Sequence, residues 1–265
     1  MFRTLEFSDG GLPFEGLSFL TVKSRALQRR ADMTLFVPAE AAAAKDVPLV
    51  TLLHGVYGSH WAWSVKGGAH RTLQRLIKQR QVPPMVLAMP SDGLWGDGTA
   101  YLSQPERDVE KWIVEEVPAA ARTVATCLSP ASPSFLGGLS MGGFGALRLG
   151  AKYGAHYRGL SAHSAITHFE QMKTYVEEDL AAYQASPQDY GVLETMLRHR
   201  AGLPPFRFDC GVDDPLLKHN RRLHQELEAH GIAHRYDEFS GGHDWTYWEK
   251  HLEDSLRFFA KILNG

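Results

Sequence analysis

The stretch SFLGGLSMGGFGALRLG, residues 134–150, decides how the rest of the chain is interpreted. A short apolar run precedes Ser140, and a run with helical character follows it. Residues 138–142 match the pattern Gly-x-Ser-x-Gly, which is typical of a serine nucleophile on a sharp strand-to-helix turn. Small neighbours allow the strained backbone that this turn requires. A phosphate-binding loop is disfavoured, because the stretch lacks Gly-x-Gly-x-x-Gly and the Lys-Ser/Thr pair.

Composition limits the classes of function. The chain has 265 residues, of which 44% are hydrophobic and 22% are charged, as expected of a soluble globular protein with a core. The net charge of −2 gives no basic surface for nucleic acid or an anionic membrane. No run of 18 apolar residues is present, so we expect no membrane span.

The cysteines and the N-terminus bear on the compartment. Cys127 and Cys210 are too few for a disulfide framework and lack metal-site spacing, although one long-range disulfide stays open. The N-terminal segment has no apolar region followed by a cleavage site, so a cytoplasmic location is expected.

Strand and helix patterns alternate from about residue 47 to the end, after two earlier strand patterns at 16–24 and 31–40. This order predicts an α/β fold, with a mostly parallel sheet and helices on both faces. The pattern over 104–125 is an amphipathic helix that Pro118 is expected to end or kink. Residues 167–205 are polar and lack a strand pattern. We expect one domain over residues 1–265, in which 167–205 form a helical insertion that covers the site.

A serine nucleophile needs a base, and in this architecture the base follows the last strand. The chain has 13 histidines, most of them expected at the surface or in structural roles. Only His243, in FSGGHDW (239–245), lies at the end of the last predicted strand and before the last helix. Gly241 and Gly242 allow its loop to bend. His243 is therefore the predicted base.

The acid should follow the preceding strand, within FRFDCGVDD (206–214). Asp213 and Asp214 both qualify, and Asp214 is preferred because it lies just before Pro215 and the next helix. Asp209 lies inside the strand and is a poorer candidate. One aspartate of the pair could instead cap the helix, which Asp does well.

Two backbone N–H groups should stabilise an oxyanion beside the serine. One belongs to Met141, the residue after the nucleophile. The other should come from LLHGVYGSHWAW, residues 52–63, where Val56 is the candidate and Gly55 and Tyr57 are alternatives. His54 is interpreted as a residue that stabilises this turn.

Four segments together resemble the esterase family of α/β-hydrolases that includes esterase D and feruloyl esterases, also called the Putative esterase family. They are LLHGVYGSHWAW, GGLSMGGFGAL, CGVDDPLLKHNRRLHQEL and GGHDWTYWEKHL. The resemblance implies an α/β-hydrolase fold, Ser140 as nucleophile, Asp214 as acid and His243 as base. It also implies that neither a metal nor an organic cofactor is used.

The expected function is hydrolysis of small acyl or aryl esters by a serine carboxylesterase. Phe144 and Asp244 stand where S-formylglutathione hydrolases of this family usually have other residues, which favours the small-ester or feruloyl branch. The alternatives are a thioesterase of the S-formylglutathione hydrolase type and an acyltransferase. Candidate pocket walls are Trp61, Trp63, Trp95 and Trp245. The expected partner is a small-molecule ester, and a homo-oligomer is allowed without a nameable interface.

Overall fold

The structure is a computed structural model that describes residues 4–8 and 16–265. Its strands are β1 (Leu5–Phe7), β2 (Leu17–Lys23), β3 (Arg30–Phe36), β4 (Leu49–Leu53), β5 (Val86–Pro90), β6 (Ser134–Leu139), β7 (Gly159–His163), β8 (Phe206–Gly211) and β9 (Arg235–Phe239). They form one sheet in the order β1-β2-β3-β5-β4-β6-β7-β8-β9. The pairs from β1 to β3 and between β3 and β5 are antiparallel, and the remaining pairs are parallel. The predicted mostly parallel sheet is confirmed, and β1 is an additional strand.

The α-helices are α1 (Ala69–Lys78), α2 (Val109–Lys111), α3 (Val117–Val124), α4 (Met141–Lys152), α5 (Val192–Arg198), α6 (Leu217–Ala229) and α7 (Trp245–Asn264). A π-helical turn at Trp112–Glu116 joins α2 to α3. The helix therefore continues through Pro118 instead of ending there. A proline ring clashes with the carbonyl of the preceding turn in a regular helix, and the wider π turn just before it gives the ring room.

Strand β4 shows how the sheet separates two cores. All five of its residues are buried. Leu49 and Leu53 belong to the core formed with α3 and α4, whereas Val50 and Leu52 belong to the core formed with α1 and α7. Successive side chains of a strand point to opposite faces, so an uninterrupted apolar run is expected where helices cover both faces. Helices on both faces are thus confirmed.

The segment 167–205 connects β7 to β8. It consists mainly of short 3₁₀ turns. Because α5 is short, the segment contains less α-helix than the sequence predicted. Its first half packs on the loop after β5, where the Tyr183 hydroxyl donates to the Gly98 carbonyl at 2.7 Å. Its second half packs through α5 against α4 and α6. The segment thereby reaches across the carboxyl ends of the parallel strands.

Cys127 and Cys210 are both buried and free, so they do not form the disulfide that the sequence left open. Within residues 4–8 and 16–265, no helix is both long and apolar enough to cross a membrane.

A buried polar network ties β7, β8 and α7 together. The Asp209 carboxylate lies 2.8 Å from Arg207 Nη1 and 2.9 Å from His163 Nδ1. The Nε2 atom of His163 lies 2.8 Å from the Ser255 hydroxyl of α7. Burial disfavours the charged carboxylate, but His163 and Arg207 outweigh burial and hold the pKa of Asp209 below its usual value. A charge in this position is stable only while its partners remain.

We predict that Asp209→Ala lowers the free energy of unfolding by about 3–5 kcal/mol, because it removes the buried carboxylate that Arg207 and His163 both contact. The exposed Asp213 is the control, and Asp213→Ala should change stability by no more than about 0.5 kcal/mol. Urea denaturation followed by circular dichroism measures both. The Asp209 contribution should be complete at neutral pH and decline as the pH falls below about 4, because its pKa is lower in the folded state. Equal stability of the two variants would contradict the assignment.

Candidate active site

Ser140 occupies a strained turn between β6 and α4. Its backbone has φ 53° and ψ −119°, a conformation that costs a non-glycine residue about 1–3 kcal/mol. The Ser140 N–H donates to the His163 carbonyl at 2.9 Å. The Ser140 carbonyl accepts from the Phe144 and Ile166 amides, each at 3.1 Å. These bonds hold the strained backbone between β7 and the first turn of α4.

Gly142 explains why small residues surround the serine. A Cβ atom at this position would lie 2.2 Å from the Leu53 carbonyl oxygen and 2.6 Å from that of His54. The first turn of α4 therefore crosses the end of β4 at a distance that only glycine permits. The same crossing directs the N-terminus of α4 toward the serine, where free N–H groups favour negative charge.

His243 follows β9 and reaches the serine. Its Nε2 atom lies 3.0 Å from Ser140 Oγ, and its Nδ1 atom lies 2.9 Å from Asp214 Oδ2. Because an ionised carboxylate only accepts, Nδ1 carries the proton in the neutral ring and Nε2 is free to accept from the serine hydroxyl. The Ser140 residue is 3% exposed, whereas the His243 side chain is 20% exposed.

The structure places Asp214, not Asp213, beside His243. The second carboxylate oxygen of Asp214 accepts from the Leu216 amide at 2.8 Å. The sequence analysis allowed these two roles to fall on different aspartates. In the structure Asp214 has both positions, since it contacts the imidazole and also fixes the turn before α6. Asp213 is exposed and contributes its amide to the Gly241 carbonyl at 3.0 Å.

Two aromatic side chains restrict the His243 ring. Trp248 meets it edge-on with ring centroids 4.9 Å apart, and Tyr175 lies parallel to it at 6.3 Å. Burial raises the pKa of Tyr175, and the negative charge of Asp214 raises it further. Sequence reasoning missed Tyr175, which comes from the segment 167–205, and did not include Trp248 among the candidate pocket walls. No local pattern identifies Tyr175, because a long-range contact places it here.

The loop after β4 lies beside the serine. The backbone of Gly55 is so close that a Cβ atom there would lie 3.3 Å from Ser140 Cβ. The Tyr57 amide donates to the Asp97 carbonyl at 2.8 Å, so it is not free to bind an oxyanion. His54 fixes the loop, as expected, since its Nδ1 donates to the Gly55 carbonyl at 2.7 Å and its Nε2 accepts from the Asp92 amide at 3.1 Å.

A cavity of about 280 Å³ opens in front of Ser140. It is lined by Gly55, Val56, Tyr57, Gly58, Trp61, Ala62, Lys66, Leu139, Ser140, Tyr175, His243, Trp245 and Trp248. Aromatic and aliphatic groups thus form most of its wall. Within the described part of the chain, no group of three or more His, Cys, Asp or Glu residues is arranged to hold a metal ion.

Of the four tryptophans expected around the substrate, Trp61 and Trp245 line this cavity. Trp63 does not, and the expectation is corrected: it is 1% exposed and its indole N–H donates to the Leu53 carbonyl at 2.9 Å, which holds the ring in the core. Trp95 does not line it either. Its ring packs edge-on against Tyr183, with centroids 4.8 Å apart, and the guanidinium of Arg107 lies 5.0 Å from its centroid.

A family model described as Putative esterase matches residues 24–259. The chain belongs to this family. The esterase is therefore a serine ester hydrolase with an α/β-hydrolase fold, as the sequence predicted. An acetyl esterase of Caldicellulosiruptor saccharolyticus is 29% identical to it over 238 residues, which cover 83% of this chain and 85% of the relative.

Solved structures share the fold of the esterase. A ferulic acid esterase superposes with a TM-score of 0.80 at 24% identity, covering 93% of this chain and 97% of that chain. An S-formylglutathione hydrolase from Staphylococcus aureus gives a TM-score of 0.77 at 14% identity, covering 97% and 100%. At these identities the likeness concerns the fold alone.

We predict that Gly142→Ala lowers the free energy of unfolding of the esterase by about 1–3 kcal/mol or more, because the added methyl group would collide with the carbonyls at the end of β4. Gly202→Ala is the matched control, since no atom lies within 4 Å of a Cβ there. That change should be neutral or stabilising by less than about 1 kcal/mol. Urea unfolding of both variants measures the difference. Similar unfolding midpoints would show that the crossing of α4 and β4 does not constrain the turn.

Proposed function

We propose that the chain is a carboxylesterase that hydrolyses small acyl or aryl esters through an acyl-enzyme on Ser140. The observation that carries this proposal is the alignment of Ser140, His243 and Asp214, with contacts of 3.0 and 2.9 Å, at the wall of an apolar cavity. A serine hydroxyl is a weak nucleophile until a base accepts its proton. The free Nε2 atom of His243 is placed to do so.

In the first step, Ser140 Oγ attacks the ester carbonyl carbon while its proton passes to His243 Nε2. The resulting imidazolium is stabilised by Asp214, which stays ionised and keeps the ring oriented. His243 then gives this proton to the departing alcohol. The ester bond breaks, and the acyl group stays on Ser140.

The tetrahedral intermediate places a negative charge on the former carbonyl oxygen. We assign its stabilisation to the amides of Met141 and Val56. Met141 begins α4, so its N–H lacks a helical partner. Val56 lines the cavity on a loop that His54 and Tyr57 hold in place. Loss of one such donor typically raises the barrier by about 3–4 kcal/mol.

Water then attacks the acyl-enzyme by the same sequence, with His243 as base, and releases the acid. The cavity limits which acids fit, because about 280 Å³ is at the lower end of small-molecule sites. Its inner wall, which includes the buried Trp248, suits a short or flat acyl group. The names of two similar proteins, an acetyl esterase and a ferulic acid esterase, agree with this substrate class. Tyr175 brings the segment 167–205 to the cavity, and we propose that this segment covers the site and limits acyl size.

We predict that Ser140→Ala lowers kcat for p-nitrophenyl acetate by at least about 10³-fold. Asp214→Asn should lower it by about 10⁴-fold, since an amide favours the wrong imidazole tautomer. The controls are Ser240→Ala and Asp213→Asn, which change exposed residues close in sequence to the site and should alter kcat less than about twofold. Steady-state kinetics, with methyl ferulate and S-formylglutathione as further substrates, measures these effects and identifies the preferred ester. Full activity of Ser140→Ala would overturn the mechanism.

A further inference from the structure

Lys66 gives the cavity a cationic side chain that the proposed hydrolysis does not use. It lines the same cavity as Ser140 and His243, and its Nζ atom lies 5.8 Å from the centroid of the Trp61 ring. Among residues 4–8 and 16–265, no carboxylate forms an ion pair with it, although ion pairs are common elsewhere on the surface. Its charge is therefore available to a bound molecule.

Both negatively and positively charged side chains lie around the mouth of the cavity. The Tyr57 amide donates to the Asp97 carbonyl at 2.8 Å, and the Asp97 carboxylate accepts from the Glu177 amide at 2.9 Å, so acidic residues lie beside this part of the rim. Burial raises the pKa of Tyr57, and the nearby carboxylates raise it further. Lys66, beside Trp61, provides positive charge in the same lining. An ester with one anionic group would be repelled near Tyr57 and attracted near Lys66, which favours a single binding orientation.

Exposure separates the inner wall of the cavity from its mouth. Ala62, Leu139 and Trp248 are buried, whereas Tyr57 and Trp61 are 66% and 37% exposed. Lys66 is also exposed. The inner wall suits the acyl group that stays on the buried Ser140. The exposed rim suits the alcohol portion, which must leave through the mouth when the ester bond breaks.

We propose that Lys66 selects esters whose alcohol portion carries a carboxylate on an aromatic or other apolar body. The proposal rests on the carboxylesterase function above and specifies its substrate class. The aromatic body packs on Trp61, and the carboxylate pairs with the Lys66 ammonium group. An ammonium group also attracts an anion over several ångströms through water, so direct contact is not required.

The test compares two substrates of similar shape, 4-acetoxybenzoate and 4-acetoxybenzamide, which differ in the charge of the alcohol portion. The measured quantity is kcat/KM for 4-acetoxybenzoate divided by kcat/KM for 4-acetoxybenzamide. This ratio is compared between variants, because the difference in leaving-group reactivity then cancels. Lys66→Met should lower this ratio by about two- to fivefold, the range for an exposed ion pair. Lys66→Arg should retain the ratio, and Lys66→Glu should lower it more than Lys66→Met.

Lys261→Met is the control, since it removes an exposed charge near the end of α7 and should leave the ratio unchanged. Salt at about 0.5 M should reduce the wild-type preference toward that of Lys66→Met, because it screens exposed charges. A third substrate, p-nitrophenyl succinate, carries its carboxylate on the acyl side. A loss confined to this ester would overturn the placement of the anion on the alcohol side.

Two failures can be told apart. If the wild type hydrolyses 4-acetoxybenzamide, Ser140→Ala does not, and Lys66→Met leaves the ratio unchanged, then the role of Lys66 is wrong and the esterase function stands. If Ser140→Ala retains hydrolysis of the neutral ester, the proposed function itself fails.

Discussion

The backbone conformation of Ser140 is the constraint on which the rest of the site depends. A positive φ at a serine persists only when its surroundings hold it there. Here the His163 carbonyl holds its amide, and the crossing of α4 over the end of β4 holds the turn. Strands β4, β6 and β7 must therefore be in register before the hydroxyl can point into the cavity. The fold and the proposed nucleophile are stabilised by the same contacts.

The pairs His163–Asp209 and His243–Asp214 have different surroundings near this turn, and these surroundings give them different roles. His163 and Asp209 are fully buried, and Arg207, Tyr247 and Ser255 occupy their remaining polar atoms. His243 and Asp214 leave one imidazole nitrogen facing Ser140 at the cavity wall. The first pair therefore stabilises the sheet beneath the turn, and the second is available for proton transfer. This difference explains why the aspartate inside strand β8 is not the partner of the proposed base.

Much of this arrangement follows from local sequence patterns. Mostly apolar runs predict the buried strands β4 and β5, and the order of serine, acid and histidine follows from the ends of the later strands. Trp61 and Trp63 are two residues apart but lie in different environments. The π turn at Ala62–Lys66 directs Trp63 into the core, while Trp61 faces the cavity. Tyr175 reaches the cavity through a long-range contact with His243, and Lys66 through the same π turn that begins beside Trp61. A pattern along the chain does not reveal such contacts, and β1 is too short to give a periodic signal.

In the proposed mechanism, the acyl group is carried by Ser140. The most direct measurement is acid quenching of the wild-type protein during turnover of p-nitrophenyl acetate, followed by peptide mapping with mass spectrometry. We expect the mass of one acetyl group on the peptide that contains Ser140, and no such adduct in the Ser140→Ala variant. Two results would contradict this mechanism: turnover with no adduct on that peptide when deacylation is slowed, or an adduct on another residue.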